Sequence, residues 1–363
     1  MKVDRRLSSF EMFTLTSILI GIKLTDTTPS LFSQKAQNAF WYIPLLAFIC
    51  ILPAFLVLLY LLYKHNAKHF VHLFELLLGQ GLGKSLAFII FILSFVMIAL
   101  DSRNYVEQIK ILYFQRSSIL IIFVLFGSVC IFGAIRGIEV VGYTTRIFWP
   151  FIRISFFILA ALIFESVVWQ RIFPIFGAGV PVILEEGVSK GSLFLDFFLL
   201  TMAFSAFRKP SQFIKGGLIG LIFSIAEITF FFFLYTTVFD YNSIEKISFP
   251  FHEVTQYVNL GDFFTNIETF FMVFWLLATF LRFILLLYLI TWLFGAIFNI
   301  DEFELLLLPM GFFLMVIGLL PDNAVVTELI YRNKLLNIIT PVIALVPFLL
   351  LLIHFFKRKK DLT

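Results

Sequence analysis

The sequence predicts an all-α integral membrane protein of about ten transmembrane helices, five and five in an inverted repeat with broken helices 1 and 6. Three observations carry this expectation. Hydrophobic residues make up 61% of the chain and charged ones only 14%, against roughly 25% charged in a soluble domain. Apolar runs close to the about 20 residues needed to cross a hydrocarbon core recur from end to end. Two of those runs are damaged at matching places in the two halves, the pattern of transporters whose binding site lies at the breaks.

The expected spans follow in chain order. The first half gives Phe10 to Leu31 (broken), Phe40 to Tyr63, Ser85 to Leu100, Ser117 to Ile135 and Ile147 to Val168. The second gives Ser192 to Phe207, Gly216 to Phe239, Phe263 to Phe298, Phe303 to Leu320 and Leu335 to Phe356. Residues 1–363 are therefore read as one transmembrane domain, with pseudo-repeats over about 8–168 and 192–356, although no letter-by-letter repeat is visible. The first break is Gly21-Ile22-Lys23-Leu24-Thr25-Asp26-Thr27-Thr28-Pro29-Ser30. The second span of the pair is barely long enough to cross and carries Asp196, but no Gly or Pro interrupts it from within.

Ser8-Ser9-Phe10-Glu11 is a capping box, which makes Glu11 a helix cap. The basic start precedes a span too long and too polar for a signal core, so no cleavable leader is expected. Lys and Arg divide as about 15 on the side of the N-terminus against about 8 on the other, which predicts both termini in the cytoplasm. In that count Arg332 and Lys334 are external loop charges. The isoelectric point near 8.9 then reflects topology and not nucleic-acid binding.

Other chemistries find little support. Cys50 and Cys130 lie in separate apolar spans and act as small hydrophobes. His65, His69 and His72 could share a helical face, but nothing completes a four-ligand metal set. Gly79-Gln80-Gly81-Leu82-Gly83 lacks the Lys-Ser/Thr of a phosphate loop. No nucleophile stands with a plausible base, so no enzyme, cofactor or metal is expected. The 51 Phe residues are read as packing and lipid-facing groups, while Trp41, Trp149 and Trp169 suit an interfacial belt.

Polar groups at membrane depth are costly and mark function. Lys23 and Asp26 lie in the first break, with Gly21 about 18 Å along the helix from Phe10. If that stretch is unwound, its backbone groups, with Thr25, are free to meet a ligand. Asp101, Arg103 and Glu107 are read as a charged end of the third span, about 25 Å from Lys84, with Arg103 and Glu107 able to pair. Ser94 and Met97 lie nearer mid-depth there. Asp196 and Glu268 sit about two turns into their spans, and Thr201 and Ser205 follow Asp196 toward the middle. Glu227 and Arg282 are deepest, able to pair with each other, with Arg153, or to line water.

A set of short motifs resembles a known family. Asp101-Ser102-Arg103 with Glu107 and Lys110 comes first, then Arg136-Gly137-Ile138-Glu139-Val140. Phe173-Pro174-Ile175-Phe176-Gly177-Ala178-Gly179, Arg208-Lys209, Ile267-Glu268 before Trp275, and Leu320-Pro321-Asp322-Asn323 follow in order. Together they are similar to the permease-like B subunit of bacterial spore germinant receptors, in the amino acid–polyamine–organocation superfamily. The resemblance implies a leucine-transporter-like fold, with helices one and six unwound around a small-ligand pocket completed by helices three and eight. It implies a nutrient-sensing subunit of the inner spore membrane working with an A-type membrane subunit and a C-type lipoprotein. The expected ligand is a small germinant, an amino acid before others, with a proton-coupled amino-acid transporter as the alternative. Lys23 and freed backbone groups would hold it, Asp196 and Thr201 would orient it, and Asp101, Arg103 and Glu268 would gate it. Gly21-Ile22-Lys23 departs from the superfamily's Gly-x-Gly, which places a Lys where backbone normally coordinates.

Overall fold

The computed structural model describes residues 7–258, 267–323 and 326–360. The capping box forms as expected: the Ser8 backbone N–H donates to Glu11 at 2.9 Å and starts helix α1 (Ser9–Gly21). Arg146 closes on the same carboxylate at 2.6 Å, so Glu11 is a cap and an ion-pair partner at once. After Gly21 the chain tightens into a 3₁₀ turn (Ile22–Thr25) and becomes extended at Asp26. It then restarts as α2 (Thr28–Ala36), with Pro29 in the first turn, where its missing N–H costs nothing.

The remaining elements are α3 (Ile43–Lys64), α4 (Phe70–Leu78), α5 (Gln80–Tyr113), α6 (Ile119–Ala134), α7 (Gly137–Leu162) and α8 (Val180–Ser189). The second half continues with α9 (Leu195–Leu200), α10 (Pro210–Val238), α11 (Tyr241–Ile244), α12 (Pro250–Gln256), α13 (Ile267–Phe298), α14 (Leu307–Gly318) and α15 (Asn333–Lys360). Among the described residues, seven stretches are long and apolar enough to cross a membrane. The helices around Ile119–Ala134 and Phe303–Gly318 are shorter, and the first span misses the length because it breaks. These are the ten expected spans in their expected order.

The sixth span is broken too, by a device the sequence does not advertise. Only Leu195–Leu200 is α-helical; 3₁₀ turns occupy Gly191–Phe194 and Thr201–Ala206 on either side. The two broken spans are joined at one end, where Leu7 and Phe207 form an isolated parallel bridge and Arg208 N–H donates to the Leu7 carbonyl at 3.2 Å. Helix α1 lies against α10 and α7. Glycines open the α10 contact: a Cβ on Gly220 would stand 2.7 Å from that of Thr16. Close backbone approach through small residues is how helices associate when lipid removes the hydrophobic drive.

The outer surface is apolar and the interior is charged. Ile49, Leu125, Phe132, Phe151, Phe312 and Leu345 are all exposed, whereas Lys23, Asp101, Asp196, Arg282 and Arg332 are buried. That inversion is the signature of a chain whose solvent is a bilayer. The protein is an integral membrane protein.

Two expectations about local structure are corrected. The third span does not end near Leu100; α5 runs on to Tyr113, because Asp101, Asn104 and Gln108 each find a buried partner there. His65, His69 and His72 do not share a helical face: His65 caps the end of α3 and contacts His354 at 2.9 Å, while His69 caps the start of α4. Among the described residues no three His, Cys, Asp or Glu side chains gather as metal ligands.

Candidate functional site

The first break is held open by side chains from three other spans. Tyr235 donates to the Leu24 carbonyl at 2.9 Å, Gln108 to the Thr25 carbonyl at 3.3 Å, and the Trp275 indole N–H to the Thr25 hydroxyl at 3.1 Å. Irregular backbone survives at membrane depth only where protein satisfies it in this way. Asp26 does two tasks. One oxygen accepts from the Thr28 N–H at 2.8 Å and starts α2; the other pairs with Arg332 at 3.1 Å.

Lys23 connects the two breaks. Its ammonium stands 3.2 Å from Asp196 and donates to the Leu193 carbonyl, both in the sixth span. Arg282, from α13, extends the connection to the third span: one nitrogen donates to Asp101 at 2.7 Å and also reaches Asp196 at 3.2 Å. The guanidinium carbon lies 5.5 Å from the Tyr105 ring centroid and 5.2 Å from that of Phe283, within cation–π range. Its remaining Nη1 is buried with no hydrogen-bond partner among the described residues.

Arg332 closes the network on the far side. It donates to Asp101 at 3.0 Å, to Asp26 at 3.1 Å, to the Thr28 hydroxyl at 3.2 Å, and to Glu328 one turn before it. Asn104 holds the other Glu328 oxygen at 3.1 Å and the Thr27 hydroxyl at 3.0 Å. Asp101 is thus the hub between two arginines. Lys23, Arg282 and Arg332 face Asp26, Asp101, Asp196 and Glu328, three cations against four carboxylates drawn from spans one, three, six, eight and the segment before ten. Removing one partner of a buried pair costs about 3–5 kcal/mol, so each member locks its neighbours.

The structure brings Gly21, Lys23, Thr25, Asp26, Asp101, Asp196 and Arg282 together at or beside the breaks. Arg103 pairs with Glu107 at 3.0 Å, as the spacing suggests, and also reaches the Asp322 carbonyl at 3.5 Å. Asp101 belongs to the central network and not to a charged helix end, while Glu268 is exposed in the first turn of α13. Thr201 is buried, but its hydroxyl donates to the Phe198 carbonyl at 2.6 Å. Ser94 and Met97 are buried on α5, and the Ser94 hydroxyl has no partner among the described residues. Ser205 lies elsewhere: its N–H donates to the Lys68 carbonyl at 3.0 Å, in the loop between α3 and α4. Glu227 pairs with Arg153 at 3.0 Å and not with Arg282.

Arg332, read from sequence as a loop charge, and Glu328, which sequence reasoning missed, are the principal additions to the site. From sequence alone Arg332 reads as an external loop charge, because it precedes the last apolar run. The available signal was the four-residue spacing of Glu328 and Arg332, which suits pairing on one helical face.

One cavity borders the network and a larger one lies apart from it. The first, of about 180 Å³, shares Thr27 and Glu328 with it, and is walled by Ser30 and Gln34 of α2 and by Glu245–Phe249. The larger, about 690 Å³, lies among Lys68, His69, His72, Ser205, Asp301 and Glu304, and no network residue lines it. There burial, with His72 and Lys68 beside it, lowers His69 to about 4.

Comparison with known proteins identifies the fold and the family. The transporter MHP1, a nucleobase-cation-symport-1 family member solved closed with bromovinylhydantoin bound, superposes with a TM-score of 0.63 at 12% identity. The match covers 94% of this chain and 78% of that one, and identifies the leucine-transporter-like fold. The "Putative spore germination protein YfkT" of Bacillus subtilis (strain 168) is 24% identical over 348 residues, covering 93% of this chain and 92% of the relative. The family model described as spore germination protein matches residues 6–325. With a permease-like fold and a match across most of its length, the chain belongs to the spore permease family of spore germination proteins.

Proposed function

We propose that this chain is the nutrient-sensing membrane subunit of a spore germinant receptor and binds a small zwitterion, an amino acid, where its two broken spans meet. The observation that carries the reading is Lys23, which ties the first break to Asp196 and Leu193 of the second. An amino acid brings one ammonium and one carboxylate. The ammonium takes the place of Lys23 at Asp196, and the carboxylate takes Lys23 and the unpartnered Nη1 of Arg282. Such an exchange leaves the net charge of the buried network unchanged, which an anionic nutrient cannot do.

Both termini face the cytoplasm in this reading, supported by the Lys and Arg asymmetry. The cavity of about 180 Å³ then opens on the opposite side and gives the ligand access past Thr27 and Glu328. Binding shifts the chain toward the state with the higher affinity, and only by the difference in affinity between states. Family membership supports the inner spore membrane as the site of action, with an A-type membrane subunit and a C-type lipoprotein as partners.

The test is loss of optical density in spores lacking the gene, challenged with individual amino acids, sugars and nucleosides. The intact gene restores response to an amino acid. Lys23→Ala raises the half-maximal concentration about 10- to 100-fold, the worth of one charge-assisted contact. Wild-type responses from Lys23→Ala and Asp196→Asn spores would place the ligand elsewhere. The likeness to MHP1 favours a second reading, a proton-coupled amino-acid transporter with Glu227 or Asp196 carrying the proton. Sustained uptake driven by a pH gradient in vesicles holding this chain alone would select it; binding without net uptake selects the receptor.

A further inference from the structure

The bilayer-facing surface is notched between α3 and α10 by a groove of about 510 Å³, walled almost wholly by apolar atoms. Trp41, in the turn before α3, and Phe48 line it from one side; Ala226, Thr229, Phe230 and Phe233 line it from α10. Helix α10 packs along α1, whereas α3 packs against α8, α15 and the Gly191–Phe194 turn. The groove therefore follows a seam between neighbours of the first break and neighbours of the second.

Two polar groups of the lining residues lack partners among the described residues: the Trp41 indole N–H and the Thr229 hydroxyl. Other residues of their kind are satisfied. Trp149 donates to the Ser17 hydroxyl at 2.9 Å and Trp275 to that of Thr25 at 3.1 Å. Along α10, Ser224, Thr236 and Thr237 each donate to a carbonyl about one turn earlier, at 2.7, 2.9 and 2.8 Å, and Thr229 does not. A buried indole N–H normally finds an acceptor, and the hydrocarbon of a bilayer offers none. Trp41 packs edge-on to Phe233 with ring centroids 5.4 Å apart. Phe233 is four residues beyond Thr229, so the two donors are offset by about 6 Å in depth.

The occupant must combine apolar length with free oxygen acceptors. A partner helix fits poorly, because its backbone carbonyls are already satisfied and its close approach needs small residues. Of the nine lining residues, only Ala226 and Thr229 are small. We propose that the groove seats one diacyl phospholipid of the leaflet that meets the start of α3. An acyl chain lies between α3 and α10, and the ester carbonyls accept from Trp41 and Thr229. Two esters at staggered depths match two donors about one helical turn apart. The groove is continuous with the apolar belt that meets the bilayer, so the lipid enters sideways. The inference depends neither on which nutrient the chain binds nor on which end of the bundle faces the cytoplasm.

The experiment counts lipids held by the purified full-length chain in native mass spectrometry. The chain is delipidated in detergent and titrated with dioleoyl phosphatidylglycerol or with its diether analogue, which has no carbonyls. The wild type holds one diester lipid about 3- to 10-fold more tightly than the diether, the worth of about one hydrogen bond. Trp41→Phe keeps a ring and lowers that preference, and adding Thr229→Val abolishes it. Ala226→Phe fills the groove and removes one retained lipid of either kind. Leu125→Phe, on the exposed face of α6, removes none. If Trp41→Phe does not fold, the nearly isosteric Thr229→Val lowers the preference by itself. Equal affinity for the two lipids in the wild type, or a lipid count unchanged by Ala226→Phe, would overturn the inference. An unchanged count together with loss of a copurifying membrane subunit would assign the groove to a partner helix instead.

Discussion

Two buried charge clusters hold the first span on either side of Gly21, and they are built on different plans. The cluster after the break is a shared network: Asp101 accepts from Arg282 and Arg332, and Asp196 faces both Arg282 and Lys23. The cluster before the break is an isolated contact, Arg153 with Glu227, in which the carboxylate lacks aligned donors. A shared network cannot release one partner without disturbing several spans, which suits a site whose occupancy is to be felt across the bundle. An isolated pair fixes one helix end and little else.

This contrast can be broken first at Arg332. Arg332→Met leaves Asp26, Asp101 and Glu328 without their common partner, at a cost on the order of 3–5 kcal/mol or more. Size-exclusion chromatography and thermal unfolding in detergent should show a chain that barely accumulates in a monodisperse state; a wild-type melting temperature would refute the network. The next effect sharpens the difference. Arg153→Met alone costs about 3 kcal/mol, whereas Arg153→Met with Glu227→Leu returns to within about 1 kcal/mol of wild type, because an isolated pair can be replaced by apolar groups. A double change at Lys23 and Asp196 should show no such recovery, since Arg282 is left without one of its carboxylates. Equal behaviour of the two doubles would erase the distinction.

Gly21→Ala should cost about 1–3 kcal/mol, from forcing a methyl group against both members of the Arg153 pair. The last effect lies away from both clusters, at His69. Burial and its neighbours hold His69 at about 4, below the usual histidine value, so the folded chain resists its protonation. Stability is therefore full above the unfolded value of about 6.5 and declines as pH falls from there toward about 4. His69→Asn keeps an acceptor at the α4 cap and should flatten that decline in melting temperature.

The parts of this arrangement differ in how plainly the sequence announces them. The first break is visible because Gly21 to Ser30 interrupts an apolar run with polar residues and Pro29. The second is fainter: a short span carrying Asp196 hints at it, but two 3₁₀ turns shorten α9 without any Gly or Pro inside it. Asp101 looked like a helix end for a related reason. Polarity normally closes a span, but here Asp101, Asn104 and Gln108 are satisfied by partners far along the chain. Arg332 was hidden by the same logic, since its partners on α5 and in the first break lie more than two hundred residues away. Local pattern reports what a residue is, and burial here depends on pairings that only the fold brings together.

The central claim is that a zwitterion exchanges with Lys23 and Arg282 at the junction of the two breaks. Thermal unfolding of the purified chain against a panel of single amino acids, sugars and nucleosides tests it most directly. The account predicts that an amino acid raises the melting temperature saturably in the wild type and leaves Asp196→Asn, verified as folded, unmoved. A shift produced by a sugar or nucleoside with none from any amino acid, or an amino-acid shift undiminished in Asp196→Asn, would contradict it.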